Sequence, residues 1–250
     1  MSAPAGNGPW GPDEPLISVC ISSYNYADYL IRALEVLKDQ KDDADFEVVI
    51  SDDASTDDSV ARAAQFAAET ASADLSDARG RFLALLPSPF ASILDFGCGS
   101  GRDTKAFLER GCRVTAADGS PELCVLASAY TGIPVRRMLF RELDETEAYD
   151  GIWACASLLH LTKRELYPVM RELGKALRPG GILYVSFKYG DFEGDRRGRY
   201  FTDFTPEGFR DYLKDLPEYR IAQLWVTGDV RPGRGEERWL NVILEKACLL

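Results

Sequence analysis

The stretch Ile93-Leu94-Asp95-Phe96-Gly97-Cys98-Gly99-Ser100-Gly101-Arg102-Asp103 runs from apolar residues straight into three alternate glycines. Glycines in such a place permit a tight turn and let a ligand approach the backbone closely. A helix beginning just after them offers free N–H groups to a carboxylate. The spacing is GxGxG with Arg102 in sixth place, unlike the GxGxxG of nicotinamide- and flavin-binding proteins. Farther on, Val114-Thr115-Ala116-Ala117-Asp118-Gly119 ends the next apolar run on an acid. A carboxylate there can accept both hydrogens of a ribose diol, or cap the helix announced by Ser120 and Pro121. His160 is the only histidine. It can serve as a general base, or pack at a helix start.

These residues need a frame to hold them. Strands are expected at 92–96, 113–117, 135–138, 149–155 and 182–187. Helices are expected at 76–86, 102–110, 121–130 and 163–177, the last closed by Arg178-Pro179-Gly180-Gly181. Such alternation means a parallel sheet covered on both faces. The end of the chain differs: a helix over 205–213, with Pro206 just inside its start, precedes strands at 219–227 and 239–245. A loop rich in Gly, Pro and Arg joins those strands, as in an antiparallel edge hairpin.

The glycine loop, the Asp118 strand end, the Tyr149–Trp153 strand, the Pro-Gly-Gly turn and the terminal hairpin together resemble the class I S-adenosylmethionine-dependent methyltransferases. The resemblance covers about residues 70–247. It implies an α/β, Rossmann-like fold with a mostly parallel seven-stranded sheet and an antiparallel C-terminal hairpin. It also implies that S-adenosylmethionine is the cofactor. By this resemblance Asp95 orders the loop near the cofactor amino group, and Gly97, Gly99 and Gly101 lie beneath its methionine and ribose parts. Arg102 sits near the methionine carboxylate, and Asp118 binds the ribose diol. Phe140-Arg141-Glu142-Leu143 flanks the adenine, where Glu142 or backbone groups supply the amino contact. The segment 154–160 lines the methyl-transfer site, with Ser157 as a cofactor contact and His160 as the candidate catalytic base. Methyl transfer from a sulfonium asks the protein mainly to align the nucleophile and exclude water.

Two loops are expected at the ligand-binding edge of the sheet, 187–201 and 227–235. Lys188, Arg197, Arg199 and Arg231 could form a positive pocket there for a carboxylate or phosphate, with Tyr189, Tyr200 and Trp225 as an aromatic wall. The alternative is a solvated lid. The reading is a methyltransferase acting on a small polar or anionic molecule, working as a monomer or weak homodimer. The rival is a module that binds the cofactor, or a nucleotide sugar, without catalysis.

Residues 16–59 look different. Ser18–Tyr26 and Val48–Asp57 resemble the opening βαβ of family 2 glycosyltransferases, in which the counterparts of Tyr24, Asn25, Asp52 and Asp53 flank the uridine. No second half with a metal-binding Asp-x-Asp follows, so this reads as a truncated segment ahead of a methyltransferase domain over 60–250. Residues 1–15, rich in Pro, Gly and Ala, read as a disordered leader and not as a signal peptide.

Composition sets outer limits. Among 250 residues, 46% are hydrophobic and 28% charged, and the net charge is −11. That balance suits a globular protein and argues against a nucleic-acid surface. No apolar run nears the roughly 20 residues of a membrane span. The six cysteines have no CxxC pairing, and one histidine makes a zinc site improbable, so no metal is expected. A cytoplasmic protein with reduced thiols is the expectation.

Overall fold

The computed structural model describes residues 17–23, 30, 34, 46–52, 56–57, 75–196, 199–229 and 237–247. The side chains of residues 17–20, 22–23, 46–52, 122 and 199 are not described.

Seven strands form the main sheet: β3 (Ser92–Phe96), β4 (Arg113–Asp118), β5 (Val135–Arg137), β6 (Tyr149–Ala154), β7 (Leu177–Lys188), β10 (Tyr219–Gly228) and β11 (Arg238–Lys246). Their spatial order is β10-β11-β7-β6-β3-β4-β5. The pairs among β3 to β7 are parallel, and β11 lies antiparallel to both β7 and β10. This is the expected Rossmann-like α/β sheet with its antiparallel end. From β3 the chain moves outward to β4 and β5, then returns to β6 on the other side. The crevice beyond the ends of β3 and β6 is therefore a topological switch point, where open α/β sheets bind ligands.

The central strands are apolar at consecutive positions because both faces are covered. Leu94, Phe96, Ile152, Leu183, Val185 and Phe187 face one core with the helix Lys163–Ala176. That helix buries Leu166, Val169, Met170 and Leu173, a spacing that keeps one stripe inward. Its start is fixed by a capping box, in which the Thr162 hydroxyl accepts the Glu165 amide at 3.1 Å. The alternate residues Ile93, Trp153, Ile182, Tyr184 and Ile243 face a second core with Phe82 and Phe107. Phe82 belongs to the helix Ser76–Leu85, and its ring meets Trp153 edge-on at 5.2 Å. A Cβ on Gly151 would lie 2.7 Å from Phe82 Cζ, so this helix sits directly on β6. Arg79 also ion-pairs with buried Asp103 at 2.6 Å. The helix Ser76–Leu85 is thus part of the main domain.

Three details depart from the sequence expectations. The helix before the Pro-Gly-Gly turn ends at Ala176, and β7 already begins at Leu177, which pairs with Tyr149. The turn persists as an irregularity within the strand, anchored by the Arg178–Asp150 ion pair at 2.7 Å. The expected loop over 187–201 contains a hairpin of its own, β8 (Glu193–Arg196) with β9 (Arg199–Thr202). Trp225 is not an aromatic wall of the crevice. A register shift between Ile221 and Gln223 moves the following residues of β10 to opposite faces. Ile221 and Leu224 therefore pack on the first core, while Trp225 packs on the second, with the Arg81 guanidinium 4.9 Å above its ring.

In the N-terminal segment, β1 (Ile17–Ser23) pairs in parallel with β2 (Phe46–Asp52) in a separate two-stranded sheet. Buried Leu30 and Leu34 pack with Ile21. Tyr24, Asn25 and Asp53, together with the leader 1–15, lie outside the described residues.

Candidate cofactor and methyl-transfer site

The glycine loop is lashed to the neighbouring strand. Gly97 and Cys98 both donate to the Ala117 carbonyl, at 2.8 and 3.0 Å. Gly97 has φ +84°, and a Cβ there would sit 2.4 Å from Ser157 Cβ. No other residue fits, because conformation and space both exclude a side chain. Gly99 has φ +57° and nothing within 4 Å of its Cβ position. Its open side faces free space, so a ligand can lie against the loop backbone. The helix Arg102–Glu109 then starts from Gly101, at φ +89°, without a side-chain cap from that residue.

Asp118 ends β4 and clasps this loop. Its Oδ2 accepts the Gly99 amide and its Oδ1 the Ser120 amide, both at 2.9 Å. A carboxylate offers about four lone-pair sites, so about two remain for a ribose diol. The cap at Ser120 is its own hydroxyl, which accepts from Leu123. Asp118 therefore orders the turn before the helix and keeps acceptor capacity, while the capping role offered for it by the sequence falls to Ser120.

Asp95 is 2% exposed and accepts the Thr104 hydroxyl at 2.5 Å, pinning the helix start beneath the loop. Burial, reinforced by the nearby Asp103 charge, raises its carboxyl from the ordinary 3.8 to about 7. Asp103 behaves oppositely. Burial pushes it up, but bonds and charges from Arg102 and Arg79 together outweigh that and lower it. It also accepts the Trp153 indole N–H at 3.0 Å. The folded state therefore keeps a proton on Asp95 that the unfolded chain loses between pH ~4 and ~7. Stability from this group is present at low pH and lost as pH rises toward 7. Asp95→Asn removes the effect, so its melting temperature relative to wild type should climb from pH 5 to pH 8. An equal difference at both values would place the titration elsewhere.

Arg102 does not stand free beside the loop. Its Nε and Nη2 grip Asp103 at 3.1 and 2.8 Å, leaving Nη1 outside that pair. Glu142 is similarly engaged, its Oε2 accepting the Leu139 amide at 2.8 Å in a local cap. Ser157 reaches under the glycine loop, donating to the Phe96 carbonyl at 2.8 Å. Phe140 stands edge-on to Phe96 at 5.0 Å and touches the same loop.

His160 is exposed, and its Nδ1 lies 2.9 Å from the Tyr200 carbonyl. A carbonyl only accepts, so Nδ1 donates its proton in this contact. The Phe201 ring, edge-on at 4.7 Å, fixes the imidazole plane. Glu193 accepts the Lys163 amide at 2.9 Å, and Thr202 donates to the Leu161 carbonyl at 2.7 Å. The β8–β9 hairpin is therefore docked on the segment after β6.

Of the four cations expected to form a positive pocket, Lys188 alone has a described side chain, and it is paired. Lys188 pairs with Glu237 at 2.5 Å, and Arg196 with buried Asp203 at 2.6 Å. Tyr189 lies under the Arg238 guanidinium at 4.2 Å, and Tyr200 donates to Glu193 at 3.3 Å. Arg197 and Arg231 lie outside the described residues, as does the side chain of Arg199. Sequence reasoning missed Asp103, held in place by Trp153 and Arg79, as the anchor of Arg102, and Ser186, which accepts the Ala156 amide at 2.8 Å. Each acts through a partner distant in the chain.

Residues 93–181 match the family model of the methyltransferase domain. Over this segment the chain resembles that family. Residues 18–81 match glycosyl transferase family 2. The chain resembles the malonyl-[acyl-carrier protein] O-methyltransferase of Salmonella typhimurium, 34% identical over 98 residues, which are 38% of each protein. It is 29% identical over 105 residues to a ubiquinone biosynthesis O-methyltransferase of Xanthomonas campestris, covering 39% of this chain and 43% of that one. The chain spans about two fifths of the length of these curated relatives. Among solved structures, the 1,6-didemethyltoxoflavin-N1-methyltransferase of Burkholderia thailandensis, with S-adenosylhomocysteine bound, superposes with TM-score 0.58. Identity there is 24%, over 94% of this chain and 93% of that one. The [4+2]-cyclase SpnF shares the fold too, at TM-score 0.56 and 18% identity over 73% and 82% of the two chains. The methyltransferase domain thus has its expected fold, and a fold alone does not name a reaction.

Proposed function

We propose that this chain is an S-adenosylmethionine-dependent methyltransferase acting on a small polar acceptor. The observation that carries the reading is the open face of Gly99, clasped by Asp118 at the switch point of a domain that resembles a methyltransferase family. The bound cofactor supplies a methyl group already activated on a sulfonium sulfur. Asp118 holds the ribose through its remaining lone pairs, and Gly99 lets the ligand lie on the backbone. Arg102 offers Nη1 to the methionine carboxylate, Ser157 braces the loop from below, and Phe140 with Glu142 borders the adenine.

His160 gives the acceptor side its chemistry. With Nδ1–H donated to the Tyr200 carbonyl, Nε2 takes a proton from a hydroxyl, carboxyl or amine as the new bond forms. An anionic acceptor draws on Arg199 and Arg231, because Lys188 is already paired, and Tyr189 and Tyr200 border the same edge. The curated relatives, both named O-methyltransferases, favour an oxygen nucleophile.

The test has two arms. S-adenosylhomocysteine binding by calorimetry should give micromolar affinity. A panel of phenols, carboxylic acids and amines, screened for release of S-adenosylhomocysteine from S-adenosylmethionine, should yield a substrate. On that substrate His160→Gln should keep cofactor affinity and lose about 10²–10⁴-fold in turnover. Binding without turnover of any protic acceptor would favour the non-catalytic cofactor-binding module instead.

A further inference from the structure

Among the described residues, only Glu147 and Ala156 hold a left-handed φ without being glycine, at +47° and +49°. Glu147 lies in an exposed turn before β6, at the end away from the crevice. Ala156 follows the other end of β6, in the segment facing the glycine loop. A side chain in that region is disfavoured and persists only where the surroundings over-determine it.

One hydroxyl holds the Ala156 amide. Ser186, on β7, is 3% exposed, and its Oγ accepts the Ala156 amide at 2.8 Å. Its own hydrogen is directed to Cys155 Sγ at 3.8 Å. The bend at Ala156 turns the next residue, Ser157, back toward β3. Ser157 is 8% exposed, donates to the Phe96 carbonyl at 2.8 Å, and fills the space where Gly97 lacks a side chain. The ends of β7, β6 and β3 are thus joined by one relay across the crevice floor: Ser186 to Ala156, Ser157 to Phe96.

We infer that Ser186 is a positioning residue of the cofactor site, holding Ala156 in its left-handed turn so that Ser157 sets the shape of the glycine loop. It touches no ligand and acts through two neighbours. The inference rests on reading this crevice as the S-adenosylmethionine site. Without the hydroxyl, Ala156 relaxes to an ordinary φ, Ser157 leaves the loop, and the loop loses its preset form.

A rescue experiment separates this from simple loss of packing. S-adenosylhomocysteine affinity and melting temperature are measured on the full chain for wild type, Ser186→Ala, Ala156→Gly and the double variant. Ser186→Ala should weaken binding about tenfold, the scale of one lost buried hydrogen bond. Ala156→Gly alone supplies the reference affinity of a chain whose turn is held by glycine. The double variant should return to within about threefold of wild type, because glycine holds the left-handed turn without help. Unchanged binding in Ser186→Ala overturns the inference, and so does a double variant as weak as Ser186→Ala. If Ser186→Ala is too unstable to assay, the double variant still decides: near-wild-type binding upholds the inference and lost binding overturns it. A wild type that binds no S-adenosylhomocysteine fails at the earlier step, the cofactor reading itself, and takes this inference with it.

Discussion

Asp118→Ala should weaken S-adenosylhomocysteine binding roughly 100-fold, about 2.7 kcal/mol. Two losses combine. The ribose hydroxyls lose a charged acceptor, and hydrogen bonds to charged groups are worth about 1.5–3 kcal/mol each. The Gly99 and Ser120 amides lose the oxygens that hold them at 2.9 Å, so the loop is no longer preset. Asp118→Asn keeps one carbonyl acceptor and should fall between, near tenfold. Calorimetry reads both variants, with circular dichroism confirming fold. Equal affinity in wild type and Asp118→Ala would remove the ribose role and with it the location of the site.

The second large effect concerns where the catalytic domain starts. The glycosyl transferase match runs to residue 81, into the helix Ser76–Leu85. Packing assigns that helix to the other module. Phe82 is fully buried against Phe107 and Trp153, and Arg79 pairs with Asp103 under the cofactor loop. We therefore expect a chain lacking residues 1–74 to keep its melting temperature and S-adenosylhomocysteine affinity. Phe82→Ala should cost about 3–5 kcal/mol, which lowers the melting temperature on the order of 10 °C for a domain of this size. Thermal melts of the two proteins decide the matter. If the short chain unfolds and Phe82→Ala does not matter, the domain begins earlier and rests on the N-terminal segment.

The sheet was legible because its signals are local. Glycine spacing, an acid at a strand end and alternation of strand and helix each occupy a few neighbouring residues. What stayed hidden depends on partners far along the chain. Arg102 reads as a free cation until Asp103, itself clamped by Arg79 and Trp153, takes it. Lys188 reads as a substrate contact until Glu237 meets it across the sheet edge. Trp225 reads as a crevice residue because a one-residue irregularity in β10 reverses its face, and irregularities leave no mark in composition. Leu177 reads as the last helical residue because helical periodicity runs through it, while its pairing with Tyr149 ends the helix.

The interior place of β11 fixes the order in which the sheet can be finished. Among the described residues β10 pairs only with β11, and β11 alone joins it to β7. On a ribosome adding ~5–20 residues per second, β7 is complete at Lys188 well before Arg238 emerges, a wait of roughly 3–10 s. Throughout that interval β7 presents an unpaired edge, and Leu183, Val185 and Phe187 lack the neighbours Leu240, Val242 and Leu244. Open edges of this kind recruit foreign strands. Refolding from denaturant, where all strands are present at once, should therefore be cleaner than synthesis, and the nascent chain should depend on chaperone cover until β11 slots in.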